Sequence, residues 1–161
     1  MQPIIECVPN FSEGRNLQTI KAITDAIESV EGIRLLDVDP GKATNRTVVT
    51  LVGSPDDVIE AAFRGIQKAS TLIDMRNHTG EHPRMGATDV CPLIPISGIS
   101  MEETAVYAKK LAKRVAEELH IPTYLYEYAQ SNPDRNNLSV IRAGEYEGFF
   151  DKIKLPAWAP D

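Results

Sequence analysis

From Asp74 to Pro95 the chain carries Gly80, Pro83, Gly86, Pro92 and Pro95. A glycine costs a helix interior about 1 kcal/mol and a proline about 3 kcal/mol, so no helix can run through this segment. A long ladder strand is equally unsuited, because each proline lacks the amide that a ladder needs. The segment must therefore be a shaped loop with short extended pieces. It also holds His78 and His82, two of the three histidines, with Glu81, Arg84 and Asp89 close by in sequence. An imidazole set among charges on a constrained loop marks a candidate site.

The chain on either side alternates between apolar runs of strand length and amphipathic helical stretches. Ile4 to Val8 is a short apolar run closed by Pro9-Asn10 and predicts a first strand. Ile20, Ile23, Ile27 and Val30 recur at helical spacing, and Gly32 is placed to stop that helix as a left-handed cap. Ile33–Val38 and Arg46–Val52 predict two antiparallel strands around the turn cluster Asp37-Val-Asp-Pro-Gly41. Ser54-Pro55-Asp56-Asp57 opens a helix reaching Leu72, with Ser54 as its cap. Leu93–Ile96 predicts a further strand, and Ser100-Met-Glu-Glu103 is a capping box opening a helix that Pro122 ends. Thr123–Tyr126 predicts a last strand, Asn137–Ile153 one short helix, and Trp158 has no evident core to join. The order strand, helix, two strands, helix, strand is that of an α+β, ferredoxin-like βαββαβ sandwich with an appended helix and strand.

At 161 residues the chain is expected to be one domain with its own core. A net charge of -6 argues against nucleic acid or an anionic membrane as the main partner, so an anionic ligand has to meet a local cluster of Arg and Lys. Neither a signal peptide nor a membrane span is evident, and the expected location is the cytoplasm. Four glycosylation sequons are read as chance matches for that reason. Cys7 and Cys91 are expected to be reduced thiols, with Cys91 a buried, inert one.

His78-Thr-Gly-Glu-His82 spells the H-x-x-E-H pattern of inverted zinc peptidases. That motif needs both imidazoles on one helical face, which Gly80 and Pro83 deny, so no metal is expected. For His78 the simpler reading is a ring that bonds loop carbonyls and holds the turn. His82 is the candidate general base, with Glu81 or Asp89 as an orienting acceptor and Arg84 as a cation for an anionic substrate. Asn10, Asp39, Asn45 and Arg46 fall at strand ends or turns, where a sheet presents side chains to a ligand. Ordinary turn chemistry accounts for Asn10 and Asp39 equally well. No nucleophile elbow, P-loop or dinucleotide fingerprint is present.

Val8-Pro-Asn-Phe-Ser-Glu-Gly14, Asn45-Arg-Thr47, Gly53-Ser-Pro55, Gly80-Glu-His-Pro-Arg-Met-Gly86, Asp89-Val-Cys-Pro92 and Arg142-Ala-Gly-Glu-Tyr146 together resemble the N-terminal subdomain of the glutamate formiminotransferase family, the transferase half of formiminotransferase-cyclodeaminase. The similarity runs over residues 1–161. It implies transfer of the formimino group from N-formimino-L-glutamate to N5 of tetrahydrofolate, the acceptor substrate, in histidine degradation and one-carbon metabolism, without a metal. It further implies that His82 is the general base and that Asp39 lies beside it to steady developing positive charge. Asn10, Asn45, Arg46, Glu81 and Arg84 are then the expected substrate and folate contacts, with Arg84 or Arg46 on a carboxylate.

The family's transferase unit has a second, C-terminal subdomain that this sequence does not contain, so a missing half, a partner chain or a homodimer is expected to complete the site. The alternative from another class is a non-catalytic folate- or partner-binding module that keeps only this half. A metal hydrolase is a third reading.

Overall fold

Two prolines divide the sheet. The computed structural model describes residues 1–161, and its first extended run is split at Pro9 into β1 (Ile4–Cys7) and β2 (Asn10–Phe11). Pro92 likewise separates β5 (Thr88–Val90) from β6 (Leu93–Ser97). The two breaks face each other, with the Val8 amide donating to the Pro92 carbonyl at 3.2 Å and the Val49 amide to the Pro9 carbonyl at 3.0 Å. Missing proline amides interrupt each ladder without ending the sheet. β3 (Ile33–Gly41) and β4 (Arg46–Gly53) complete it.

All pairings are antiparallel: β4 lies between β3 and the broken strand β1/β2, whose other edge pairs with β6 and β5. Counting each broken pair as one strand, the spatial order is fourth, first, third, second. β3 absorbs Leu36 as an extra residue between Leu35 and Asp37, a bulge on the free edge.

One face of this sheet carries α1 (Leu17–Glu28), α2 (Pro55–Leu72) and α3 (Met101–Leu119). Ile5, Cys7, Phe11, Val49 and Leu51 from the strands meet Ile23 and Ile27 of α1, Val58, Phe63 and Ile66 of α2, and Leu111 and Val115 of α3 in a single core. Ile4, Ile94 and Ile96, which alternate with core residues along β1 and β6, are exposed on the opposite face. The architecture is α+β, an antiparallel sheet with helices, as expected. No helix is long and apolar enough to cross a membrane.

Local chemistry departs from expectation in four places. α1 ends at Ser29 in a right-handed conformation, and Gly32 is not left-handed; a Cβ there would lie 1.9 Å from Asp57 Oδ2, so a larger residue would have to displace the Asp57 side chain. Ser54 does not cap α2 and instead donates to Asp57 Oδ2 at 2.8 Å. Thr123–Tyr126 pairs with no strand and is held by the C-terminus, with the Asp161 amide on the Thr123 carbonyl and the Leu125 amide on Asp161 Oδ2, both at 2.9 Å. The single helix expected over 137–153 is two, α4 (Leu138–Arg142) and α5 (Glu145–Lys152), parted at Gly144 with φ of 92°.

The Ser100–Glu103 capping box is present in full. Trp158 finds neighbours after all, with Lys152 Nζ 4.0 Å from its ring centre and Arg135 beyond it at 5.5 Å. Between α3, the β5/β6 edge and the C-terminal segment lies a mostly apolar cavity of about 720 Å³.

Leu51 is fully buried in the central strand. Leu51→Ala is expected to lower unfolding stability by about 2–5 kcal/mol in urea denaturation. A loss below about 1 kcal/mol contradicts this account of the core.

Candidate active site

Three loops meet at the end of the sheet where β2 and β3 finish and β4 and β5 begin: Ser12–Asn16, Lys42–Asn45 and His78–Ala87. Their contact is so close that side chains are excluded. A Cβ on Gly14 would fall 2.1 Å from the Gly41 carbonyl oxygen, and one on Gly80 would fall 2.2 Å from that of Thr44. Asn45, left-handed at φ of 50°, clips the three together. Its Oδ1 accepts from the Gly14 amide at 2.9 Å, its Nδ2 donates to the Thr79 carbonyl at 3.0 Å, and its own carbonyl accepts from His78 Nε2 at 2.8 Å. Ser12 adds its hydroxyl on the Gly86 carbonyl at 2.7 Å and its amide on that of Ala87 at 2.8 Å.

The two histidines are set in opposite ways. His78 is buried, and its Nδ1 receives the Arg84 Nε–H at 3.0 Å, so Nε2 carries the proton given to Asn45. It holds the turn, as the simpler reading had it. His82 is partly exposed, and its Nδ1 lies 2.7 Å from the Pro83 carbonyl. A carbonyl can only accept, so Nδ1 carries the proton. Nε2 keeps the lone pair and bonds nothing in the protein. The orienting acceptor is thus the Pro83 carbonyl, not Glu81 or Asp89. With both His78 nitrogens engaged, the H-x-x-E-H residues do not converge, and no group of three His, Cys, Asp or Glu is placed to hold a metal ion.

Arg84 was expected to face a ligand, but its geometry gives it another task. Its guanidinium is buried and makes five hydrogen bonds, to His78 Nδ1, the His78 carbonyl, Glu145 and both oxygens of Glu147. No N–H is left over. Asn45 is committed to the loops in the same way. Glu81 is exposed, and its amide donates to the Ala43 carbonyl at 3.1 Å. Asp39 is exposed on β3 opposite Val48, and no ion pair joins it to His82.

Arg46 is buried, donating through Nε to Asn10 Oδ1 at 2.9 Å and through Nη1 to Asp89 Oδ2 at 2.8 Å, while Asn10 Nδ2 donates to the Val8 carbonyl at 2.9 Å. Glu145, Glu147 and Arg142 are site neighbours that no local sequence pattern predicts. All three sit in or beside the Arg142-Ala-Gly-Glu-Tyr146 motif, whose dense charge was the available signal. Cys7 and Cys91, 84 residues apart, bring their sulfurs to 3.5 Å. Contact with Cys91, together with burial, pushes the Cys7 thiol up, away from nucleophile chemistry.

The Arg84 pairing, aided by a backbone hydrogen bond, holds the Glu147 carboxyl at about 2, below its ordinary 4.5. A folded-state value below the unfolded one means the contribution is whole above pH 4.5 and is lost as pH falls toward 2. Carboxyl NMR is expected to show Glu147 titrating near 2 and returning to the ordinary range in Arg84→Met. An ordinary Glu147 titration in the parent chain contradicts the pairing.

Residues 4–161 match the family described as formiminotransferase domain, N-terminal subdomain. The chain is 55% identical over 161 residues to the formimidoyltransferase-cyclodeaminase of Rattus norvegicus, covering all of this chain and 30% of that protein. It is 46% identical over 161 residues to the glutamate formimidoyltransferase of Streptococcus pyogenes serotype M1, covering all of this chain and 54% of that one. With the glutamate formimidoyltransferase of Thermoplasma acidophilum the identity is 46% over 160 residues, 98% of this chain and 53% of the relative. The chain spans about half the length of these two transferases and under a third of the rat protein. It belongs to the formiminotransferase family, as an N-terminal subdomain.

Proposed function

We propose that this chain is the base-carrying half of a glutamate formimidoyltransferase, acting in histidine degradation and one-carbon metabolism. The observation that carries the reading is His82 Nε2, whose lone pair is unpartnered on a braced loop. His82 takes the proton from N5 of tetrahydrofolate as that nitrogen bonds to the formimino carbon of N-formimino-L-glutamate. It returns the same proton to the glutamate nitrogen as the old carbon–nitrogen bond breaks. Glutamate and 5-formiminotetrahydrofolate leave, and the imidazole is restored.

Asp39, exposed near the end of β3, steadies the positive charge that builds on the amidine. Arg46, Asn10 and Glu81 contact the substrates, and Arg84 and Asn45 serve them by holding the loops. The strand order fourth, first, third, second supports a ferredoxin-like sandwich. The exposed Ile4, Ile94 and Ile96 on the uncovered sheet face suit a second subdomain or partner closing over it. Two free thiols 3.5 Å apart suit a reducing cytoplasm.

Tetrahydrofolate-dependent release of glutamate is to be measured for the chain supplemented with the second half of a related transferase. His82→Ala is expected to lower kcat by about 10²–10⁴-fold with KM for the donor little changed. A variant within about tenfold of the parent removes His82 as the base. Folate binding without any turnover in the parent favours the non-catalytic module.

A further inference from the structure

We infer that Arg46 and Arg142, gathered on Asp89 at the end of the loop that carries His82, form a subsite for a carboxylate of a glutamyl group. The inference rests on the transferase reading for the identity of the ligand, while the geometry supplies the charge and the donors. Asp89 is 1% exposed, and a single oxygen of it serves both guanidiniums, Oδ2 lying 2.8 Å from Arg46 Nη1 and 3.1 Å from Arg142 Nη2. Its other oxygen is taken by the Met85 amide. Two cations on one anion leave one positive charge uncompensated where water has little access.

Donor accounting points the same way. A guanidinium has five N–H groups. Arg46 makes two hydrogen bonds, to Asn10 and Asp89. Arg142 has only the charge contact with Asp89, and its Nε is buried with no partner. Thr88 Oγ1, next to Asp89 in the chain, is also buried without a partner. The side chains of Arg46 and Arg142 are 7% and 16% exposed, so water reaches only part of each guanidinium, and the buried Arg142 Nε and Thr88 Oγ1 are left unpaired at a cost. Arg84 is the contrast within the same fold, equally buried and saturated by its own carboxylates. Those carboxylates, Glu145 and Glu147, are spent on Arg84 and are 43% and 67% exposed.

One excess charge matches a carboxylate better than a doubly charged phosphate, and planar guanidiniums suit a planar two-oxygen acceptor. Glutamyl carboxylates occur on the formimino donor and on the tail of folate, so the probes must separate the two. Thermal unfolding and calorimetry of the folded chain are to be run with glutarate, with uncharged glutaramide and with p-aminobenzoyl-glutamate. Glutarate is expected to bind saturably and raise Tm, glutaramide to do neither, and a stronger effect of p-aminobenzoyl-glutamate assigns the subsite to the folate tail.

Arg142→Met is expected to weaken glutarate by about tenfold or more, and Thr88→Val by a smaller factor of about three. Should Arg142→Met not fold, Arg142→Lys keeps the charge, loses the two-point geometry and is expected to weaken binding too. Equal effects of glutarate and glutaramide, or wild-type affinity in Arg142→Lys and Thr88→Val, overturn the subsite. Glutarate binding in a chain that never supports transfer leaves the subsite standing and removes the transferase reading. Transfer without any carboxylate effect does the reverse.

Discussion

The arrangement at the loop end of the sheet depends on one buried guanidinium. Arg84 lies two residues beyond His82 and is held by His78 on one side and by Glu145 and Glu147 on the other. A guanidinium inside a protein is costly when its donors are left unfilled, and here all five are filled. That saturation fixes the tautomer of His78, which in turn donates to the Asn45 carbonyl and so ties the histidine loop to the β3–β4 turn. The same brace reaches forward to α5, more than 60 residues on, so the C-terminal segment stabilises the loop as well as covering the sheet edge.

A chain of net charge -6 has no long-range attraction for an anion, and any such ligand must be met by charges placed one by one. The fold distributes carboxylates unequally among its buried arginines. Arg84 is given a surplus of carboxylate and becomes architecture. Arg46 and Arg142 must share Asp89 and retain unused donors. Guanidiniums of similar burial thus differ in how many donors they keep free, decided by how many acceptors the neighbouring chain supplies.

Local signals in the sequence were legible. The isoleucine spacing of α1, the Ser100–Glu103 box and the β-branched run of β4 each act within one element, and each forms as read. Pro9 and Pro92 were visible as punctuation, although their placement side by side across two strands was not. Thr123–Tyr126 has strand character but lacks a ladder partner, because strand formation depends on an edge elsewhere in the chain. That His78 holds the turn could be read from its setting, whereas the brace on Arg84 could not. Its partners Glu145 and Glu147 lie 61 and 63 residues away, and nothing local marks them as its acceptors.

Imidazole ¹⁵N spectra test the central claim most directly, since they report which ring nitrogen holds the proton. At a pH where both rings are neutral, His78 should be the Nε2–H form and His82 the Nδ1–H form. The same tautomer at both positions, or a His82 ring exchanging freely between the two, contradicts a loop that holds Nε2 of His82 as a fixed, unpartnered acceptor.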